Sequence, residues 1–162
     1  MKDSADRLQR FDLVEMARDV VAEMAPLALA AGYDISFEPP SERVEIEGDR
    51  DALARALTNL VQNAIDHAGG QGSVVVRVDA SGGIDVIDDG PGIPPAQRTH
   101  VFKPFYRLHA TGPGTGLGLS LVQEIVRLHG GDVSVHDGPE GGSLFRMRFP
   151  LAGSGAPAIP QD

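Results

Sequence analysis

Gly112-Pro113-Gly114-Thr115-Gly116-Leu117-Gly118-Leu119-Ser120 is the most telling stretch of this chain. Gly114, Gly116 and Gly118 alternate, and an apolar helical pattern begins straight after them. The free N–H groups of a helix start, with the helix dipole behind them, attract phosphate. The stretch therefore predicts a phosphate cradle opening a helix from about Leu117 to Leu128, stopped by Gly130-Gly131. It is not a Walker A loop, because the two lysines of the chain, Lys2 and Lys103, do not follow a glycine-rich loop. Nor is it the dinucleotide pattern, because Leu119 stands at the third position. The same residues also fit a flexible hinge before a helix.

Two segments upstream belong with it. Asp88-Asp89-Gly90-Pro91-Gly92-Ile93 closes an apolar run. Adenine offers an exocyclic amine where guanine offers an acceptor, so a fixed carboxylate at Asp88 accepts from adenine and repels guanine. Gly90 and Gly92 remove side chains that would block a flat base. An ordinary Asp-Gly-Pro-Gly surface turn is the other reading of these residues. Further upstream, Leu53, Leu57, Leu60 and Ala64 fall on one helical stripe with Val61 beside it. Asn59, Asn63 and Asp66 fall on a different face. An amide oxygen suits Mg²⁺, a hard cation that keeps several waters. A solvated polar face accounts for the same pattern.

Composition narrows the classes. The chain has 162 residues, the length of one domain, and no cysteine, which excludes disulfides and thiolate metal sites. Its formal charge of -9 opposes nonspecific nucleic-acid binding. It has no run of about 18 apolar residues, so no membrane-spanning helix is expected. Met1-Lys2-Asp3-Ser4 lacks the layout of a signal peptide.

The remaining elements follow from periodicity. Residues 1–10 are polar and read as a leader or the end of a preceding helix. Asp12 caps a helix, with Glu15 as its capping-box partner, and Leu13, Val14, Met16, Ala17, Val20, Val21, Met24 and Leu27 line its apolar face until Gly32 stops it. Residues 33–38 and 43–47 read as short strands separated by Pro39-Pro40. Asp49 caps the asparagine helix, which runs to about Ala68. Residues 73–79 and 83–87 read as a strand pair, 94–101 hold a short helix, and 132–136 and 143–149 read as the last two strands. The tail from 152 reads as disordered. His100, His109, His129 and His136 show no metal spacing and read as surface or lid residues.

Five motifs together identify a resemblance. They are Asn59-x-x-x-Asn63, Asp88-x-Gly90-x-Gly92-Ile93, Phe102-Lys103-Pro104-Phe105-Tyr106-Arg107, Gly114-Thr115-Gly116-Leu117-Gly118-Leu119 and Gly141-Gly142-Ser143-x-Phe145. In this order they resemble the N, first-glycine, F, second-glycine and last-glycine boxes of sensor histidine kinases, in the catalytic and ATP-binding domain of the GHKL superfamily. The resemblance covers roughly residues 11–150. It implies an α/β fold, a two-layer sandwich known as the Bergerat fold, with a mixed sheet packed under about three helices. It implies residues 1–10 as the trailing end of a missing dimerisation domain and 151–162 as a tail.

The resemblance also implies ATP and Mg²⁺. It carries the metal-ligand role to Asn63, a phosphate-side and catalytic role to Asn59, and the adenine contact to Asp88, with Gly90, Gly92 and Ile93 shaping that pocket. Phe105 becomes a hydrophobic anchor for the lid and Arg107 a phosphate-directed or domain-contacting cation. Gly114, Thr115, Gly116, Leu117, Gly118 and Leu119 form the phosphate cradle. His67 stacks or hydrogen-bonds near the ribose and phosphates, or is simply a helix-end histidine favoured by the dipole. The chain departs from the family at Asp66, where a cation usually faces phosphate, and in the short lid segment from Leu108 to Pro113.

Hydrolytic members of the superfamily carry a glutamate one turn before the metal-binding asparagine. Here that position is Asn59, an amide that takes no proton at neutral pH, so slow hydrolysis and phosphoryl transfer to a protein are expected. The partners implied are the phosphoacceptor histidine domain of the parent and, through it, a response regulator. The expected setting is a monomeric cytoplasmic domain of an inner-membrane-anchored bacterial sensor, without direct membrane insertion. No histidine precedes His67, so the chain is expected to bind ATP without phosphorylating itself. Two other readings are a stand-alone serine kinase of the anti-sigma type and a degenerate nucleotide-binding module.

Overall fold

The computed structural model describes residues 8–67, 69, 72–106 and 118–153. In chain order its elements are β1 (Leu8–Asp12), α1 (Leu13–Ala30), β2 (Tyr33–Glu38), β3 (Glu45–Asp49), α2 (Arg50–His67), β4 (Gly72–Val78), β5 (Gly83–Asp88), a 3₁₀ turn (Pro95–Gln97), α3 (Gly118–Leu128), β6 (Asp132–Asp137) and β7 (Ser143–Arg148). The strands form a five-stranded sheet, ordered β2-β4-β5-β7-β6, and a small two-stranded sheet of β1 and β3. β2 runs parallel to β4 and the other neighbours are antiparallel, so the larger sheet is mixed. Three helices pack on this sheet, and the whole is the two-layer α/β sandwich expected.

The helices follow their sequence patterns. Asp12 Oδ1 accepts from Val14 N at 3.0 Å, capping α1. The same oxygen accepts from Val44 N at 3.1 Å, so the cap also ties α1 to the segment entering β3. On α1 the buried stripe runs through Leu13, Ala17, Val20 and Met24, but Ala28 continues it and Leu27 lies 55% exposed. A step of four from Met24 stays on the core face, whereas a step of three drifts off it. Gly32, at φ 92°, ends the helix as expected. Asp49 caps α2 by accepting from Ala52 N at 3.2 Å. Leu53, Leu57, Leu60 and Val61 are fully buried beneath it.

Several expectations need correction. Leu8–Arg10, read as leader or helix end, are strand, and Phe11 faces Ile46 across the small sheet. The strand expected over 43–47 runs instead over Glu45–Asp49, in a different sheet from β2, and Pro39-Pro40 between them can carry no ladder of N–H donors onward. The short helix expected over 94–101 shrinks to the 3₁₀ turn, whose start at Pro94 has no side-chain cap. Chain engagement lasts beyond the expected tail boundary: Ala152 N donates to Glu45 O at 2.8 Å.

One face of the larger sheet is apolar and lies under the helices. The other carries a charged row. Glu38, Arg77, Asp85 and Arg146 stand in register on β2, β4, β5 and β7. Arg146 donates from Nε and Nη2 to the two oxygens of Asp85 at 2.8 and 3.1 Å. That hydrogen-bonded partner holds the Arg146 guanidinium pKa above its ordinary value, against the opposing effect of burial. The Asp85 side chain is 4% exposed, so its charge is tolerated only because the pair is bidentate.

Candidate functional site

The element that carries the asparagine pair, α2, touches both of the elements that carry the other two features. α2 packs across β5 on one side and against α3 on the other. β5 ends at Asp88 and the described part of α3 begins at Gly118.

Asp88 is 7% exposed. Its Oδ1 accepts from Gly90 N at 2.9 Å and from Ser143 N at 3.4 Å, and its Oδ2 accepts from Ser143 Oγ at 2.7 Å. A carboxylate has about four acceptor positions, so Oδ2 retains capacity for one further donor. The backbone is drawn tightly around it. A Cβ on Gly142 would stand 2.1 Å from Asp88 O, and one on Gly92, at φ 77°, would stand 3.2 Å from Gly141 O. Asp89 turns the other way and accepts from Ser73 N at 3.1 Å, pinning the loop to the start of β4.

Ile93 is half-buried against the core, and its carbonyl accepts from Arg98 Nε at 3.1 Å. Arg98 also pairs with Asp137 at the end of β6. This one guanidinium thus holds the Gly90–Ile93 loop against the far strand. Asn59 and Asn63 are half-buried, and their amides have no hydrogen-bond partner among the described residues. Asp66 accepts from Gln62 Nε2 at 3.0 Å. His67 ends α2 and is half-buried.

The F-box segment behaves differently from expectation. Phe105, the expected anchor, is 71% exposed and sits at φ 64°, an unusual backbone state for an aromatic residue. Phe102 does the anchoring: it is buried and meets the edge of Phe145 with ring centroids 6.1 Å apart. Tyr106 adds a bond from its hydroxyl to Gln97 Oε1 at 3.0 Å. Among the described residues, no atom outside its own helix backbone and chain neighbours lies within 4 Å of where a Cβ on Gly118 would stand, and Leu119 packs on the core. Arg107, the lid residues 108–113, Gly114, Thr115, Gly116 and Leu117 lie outside the described residues.

Two residues escaped the sequence reading. Ser143 appeared there only as part of a motif, yet it supplies two of the donors to Asp88. His129 was read as surface or lid, and it is 5% exposed. A signal for it existed in the strongly apolar run Ile125-Val126 ahead of it and the Gly130-Gly131 stop behind. His100 and His136 are exposed as expected. No group of three or more His, Asp or Glu side chains suited to a metal occurs among the described residues.

The residues present suit a magnesium nucleotide. A nearly buried carboxylate with spare acceptor capacity fits an adenine amine, and two amides unengaged among the described residues fit hard-cation or phosphate contacts. The fold and the chemistry of these residues fit a nucleotide-binding α/β sandwich. Residues 48–153 match the family described as histidine kinase-, DNA gyrase B-, and HSP90-like ATPase, and the chain belongs to it.

Its relatives sharpen the placement. The sensor protein KdpD of Escherichia coli (strain K12) is 34% identical over 133 residues, which is 79% of this chain but 15% of KdpD. The chain therefore spans only a small part of that relative. The catalytic domain of histidine kinase ThkA, in a nucleotide-free form, superposes with a TM-score of 0.78 at 30% identity, covering 88% of this chain and 97% of that one. ThkA in complex with the response regulator protein TrrA gives a TM-score of 0.77 at 28% identity, covering 92% of this chain and 43% of that one. The domain is thus of the histidine-kinase catalytic type, and ATP is the nucleotide of its family.

Proposed function

We propose that this chain is the ATP- and magnesium-binding catalytic domain of a two-component sensor histidine kinase. It gives the γ-phosphoryl group of ATP to a histidine on a separate dimerisation domain, for later relay to a response-regulator aspartate. The observation that carries this reading is the nearly buried Asp88 carboxylate, fixed by Gly90 and Ser143 with acceptor capacity to spare, on a fold whose asparagine-bearing α2 touches both β5 and α3. The match of ThkA's catalytic domain along nearly its whole length supports it.

In this reading Asp88 accepts from the adenine amine, held in place by Ser143 and Gly90. Gly92 and Ile93 line the base. Asn63 holds Mg²⁺, and Asn59 contacts the phosphate side. When bound, Mg²⁺ neutralises phosphate charge and orients the triphosphate. Gly114, Thr115, Gly116, Leu117, Gly118 and Leu119 cradle the phosphates, with His67, Phe105 and Arg107 bordering them. Asn59 offers no basic group to activate water, so transfer to a protein histidine outruns hydrolysis. The catalytic unit spans about residues 11–150, extended by β1 and the Ala152 bond. The setting is a cytoplasmic domain of a membrane-anchored sensor, a reading supported by the sensor proteins among its relatives. No helix among the described residues is long and apolar enough to cross a membrane.

The test uses labelled ATP with magnesium. The chain alone is expected to bind an ATP analogue but to take no stable label. Mixed with the parent's histidine-bearing hairpin, it is expected to label that hairpin. Stable labelling of the chain alone, or absence of binding at millimolar nucleotide, overturns the reading.

A further inference from the structure

His129 caps the C-terminus of α3, and its side chain leaves that helix for another. Gly131 N donates to Val126 O and Gly130 N to Arg127 O, both at 3.0 Å, while Gly130 takes φ 74°. This left-handed closure directs the imidazole toward the start of α2. Its Nδ1 lies 2.8 Å from Ile125 O. A carbonyl only accepts, so Nδ1 carries the proton and Nε2 keeps its lone pair. Asp49 N donates to Nε2 at 3.0 Å. Asp49 is the residue that caps α2, so one neutral ring joins the end of α3 to the beginning of α2.

The joint is tightly built. A Cβ on Gly48 would stand 2.4 Å from His129 Cδ2, so glycine at 48 is what lets the ring lie against β3. On the far side of the joint, a Cβ on Gly131 would stand 2.0 Å from Arg148 O. The brace also has leverage. α3 rises about 1.5 Å per residue, so Gly118 lies about 15 Å from the joint, and Asn59 and Asn63 lie farther along α2 by similar reasoning. A small change of angle at the joint becomes a larger displacement where the helices face the nucleotide. Sites of this kind need placement to about 0.5 Å.

We propose that His129 is a positioning residue for the nucleotide site, fixing the pose of α3 against α2 through the bond from Asp49 N. The proposal rests on the nucleotide reading above. Its distinguishing feature is that the interhelical bond, rather than mere filling of the core, governs affinity.

Two variants separate these. His129→Asn keeps a donor close enough for Ile125 O and loses the reach to Asp49 N. His129→Gln places an acceptor at about the reach of Nε2. Both are titrated with magnesium and a non-hydrolysable ATP analogue at a temperature where circular dichroism shows each fully folded. Val78→Ala, a buried site on β4 at the end away from Asp88, serves as a destabilised control. His129→Asn is expected to weaken binding by about threefold or more, as coupled packing changes do. His129→Gln and Val78→Ala are expected to hold wild-type affinity. Unchanged affinity in His129→Asn, or equal loss in His129→Gln, overturns the proposal while leaving the nucleotide reading intact. A wild-type chain that binds no analogue overturns the nucleotide reading and this proposal with it. If neither variant folds, amide exchange on the wild type decides the matter. By linkage, nucleotide should slow exchange at Asp49 N more than at Val78 N, and equal slowing overturns the proposal.

Discussion

Ser143 Oγ donates to Asp88 Oδ2 at 2.7 Å across the junction of β5 and β7, and both side chains are nearly buried. The hydroxyl fixes the carboxylate without exhausting it. One oxygen carries two backbone or near-backbone donors, and the other carries this hydroxyl with room for a ligand.

Asp88→Asn should therefore preserve the fold, since the amide oxygen can keep the bonds from Gly90 N and Ser143 N and the serine hydroxyl can turn to accept. It should weaken ATP binding by about 1.5–3 kcal/mol, the range for a hydrogen bond to a charged group. Discrimination against GTP should fall with it. Calorimetric titration with both nucleotides checks this, and unchanged selectivity removes Asp88 from the adenine contact.

Asn63→Ala removes an amide that makes no hydrogen bond to the described residues. Its melting curve without nucleotide should match wild type within about 0.5 kcal/mol, as for substitutions that break no native contact. Magnesium-dependent nucleotide binding should be lost. A lowered melting temperature with intact magnesium dependence would assign Asn63 a structural role instead.

Gly142→Ala meets the backbone rather than a movable side chain, with its Cβ 2.1 Å from Asp88 O. Overpacking in a closed site costs about 1–3 kcal/mol or more. Urea unfolding should show that loss, together with weaker nucleotide binding, because the strand end carrying Asp88 must shift.

Asp66→Lys removes the carboxylate that accepts from Gln62 Nε2 and puts a cation on the helix face proposed to border the phosphates. ATP should bind more tightly, by up to about 1 kcal/mol for a partly exposed pair. A weaker complex means that residue 66 does not face the phosphates.

Asp79 supplies a pH signature far from the nucleotide corner. Burial pushes its carboxyl up, but bonds from Ser81 Oγ, Gly83 N and Ser81 N, with the nearby Arg148 charge, outweigh burial and hold it below the ordinary 3.8. A depressed folded-state pKa gives stability that is fully present above the unfolded value and is lost as pH falls through the folded one. Wild type should thus exceed Asp79→Ala in stability at neutral pH. The gap should narrow below about pH 3.8. Denaturant midpoints measured across that range test it, and a gap constant with pH contradicts the assignment.

Local pattern accounts for much of what was foreseen. Asp12 and Asp49 cap the helices they precede, and the Leu53–Val61 stripe is buried, because capping and amphipathicity act within a turn or two of chain. Around Asp88 the tightest backbone approach falls at Gly142, whereas the sequence pattern pointed to Gly90 and Gly92 as the positions that admit a base. Misreadings arose where local signals were weak. Leu8–Arg10 carry no strand alternation strong enough to announce themselves, and they pair only because β3 offers an edge. Phe102 and Phe105 look alike in the sequence, yet only contact with Phe145 distinguishes the anchored ring from the exposed one.

Taken by itself, the sequence determined the three long helices and the aspartate caps of the first two, because those depend on residues near one another in the chain. Tertiary structure decided the rest: the Ser143 hydroxyl on Asp88 comes from 55 residues away, the Arg146 guanidinium on Asp85 from 61, and the His129 ring on Asp49 from 80. Such pairings cost chain entropy to form and leave no periodic mark, so they exist only once strands and helices have packed.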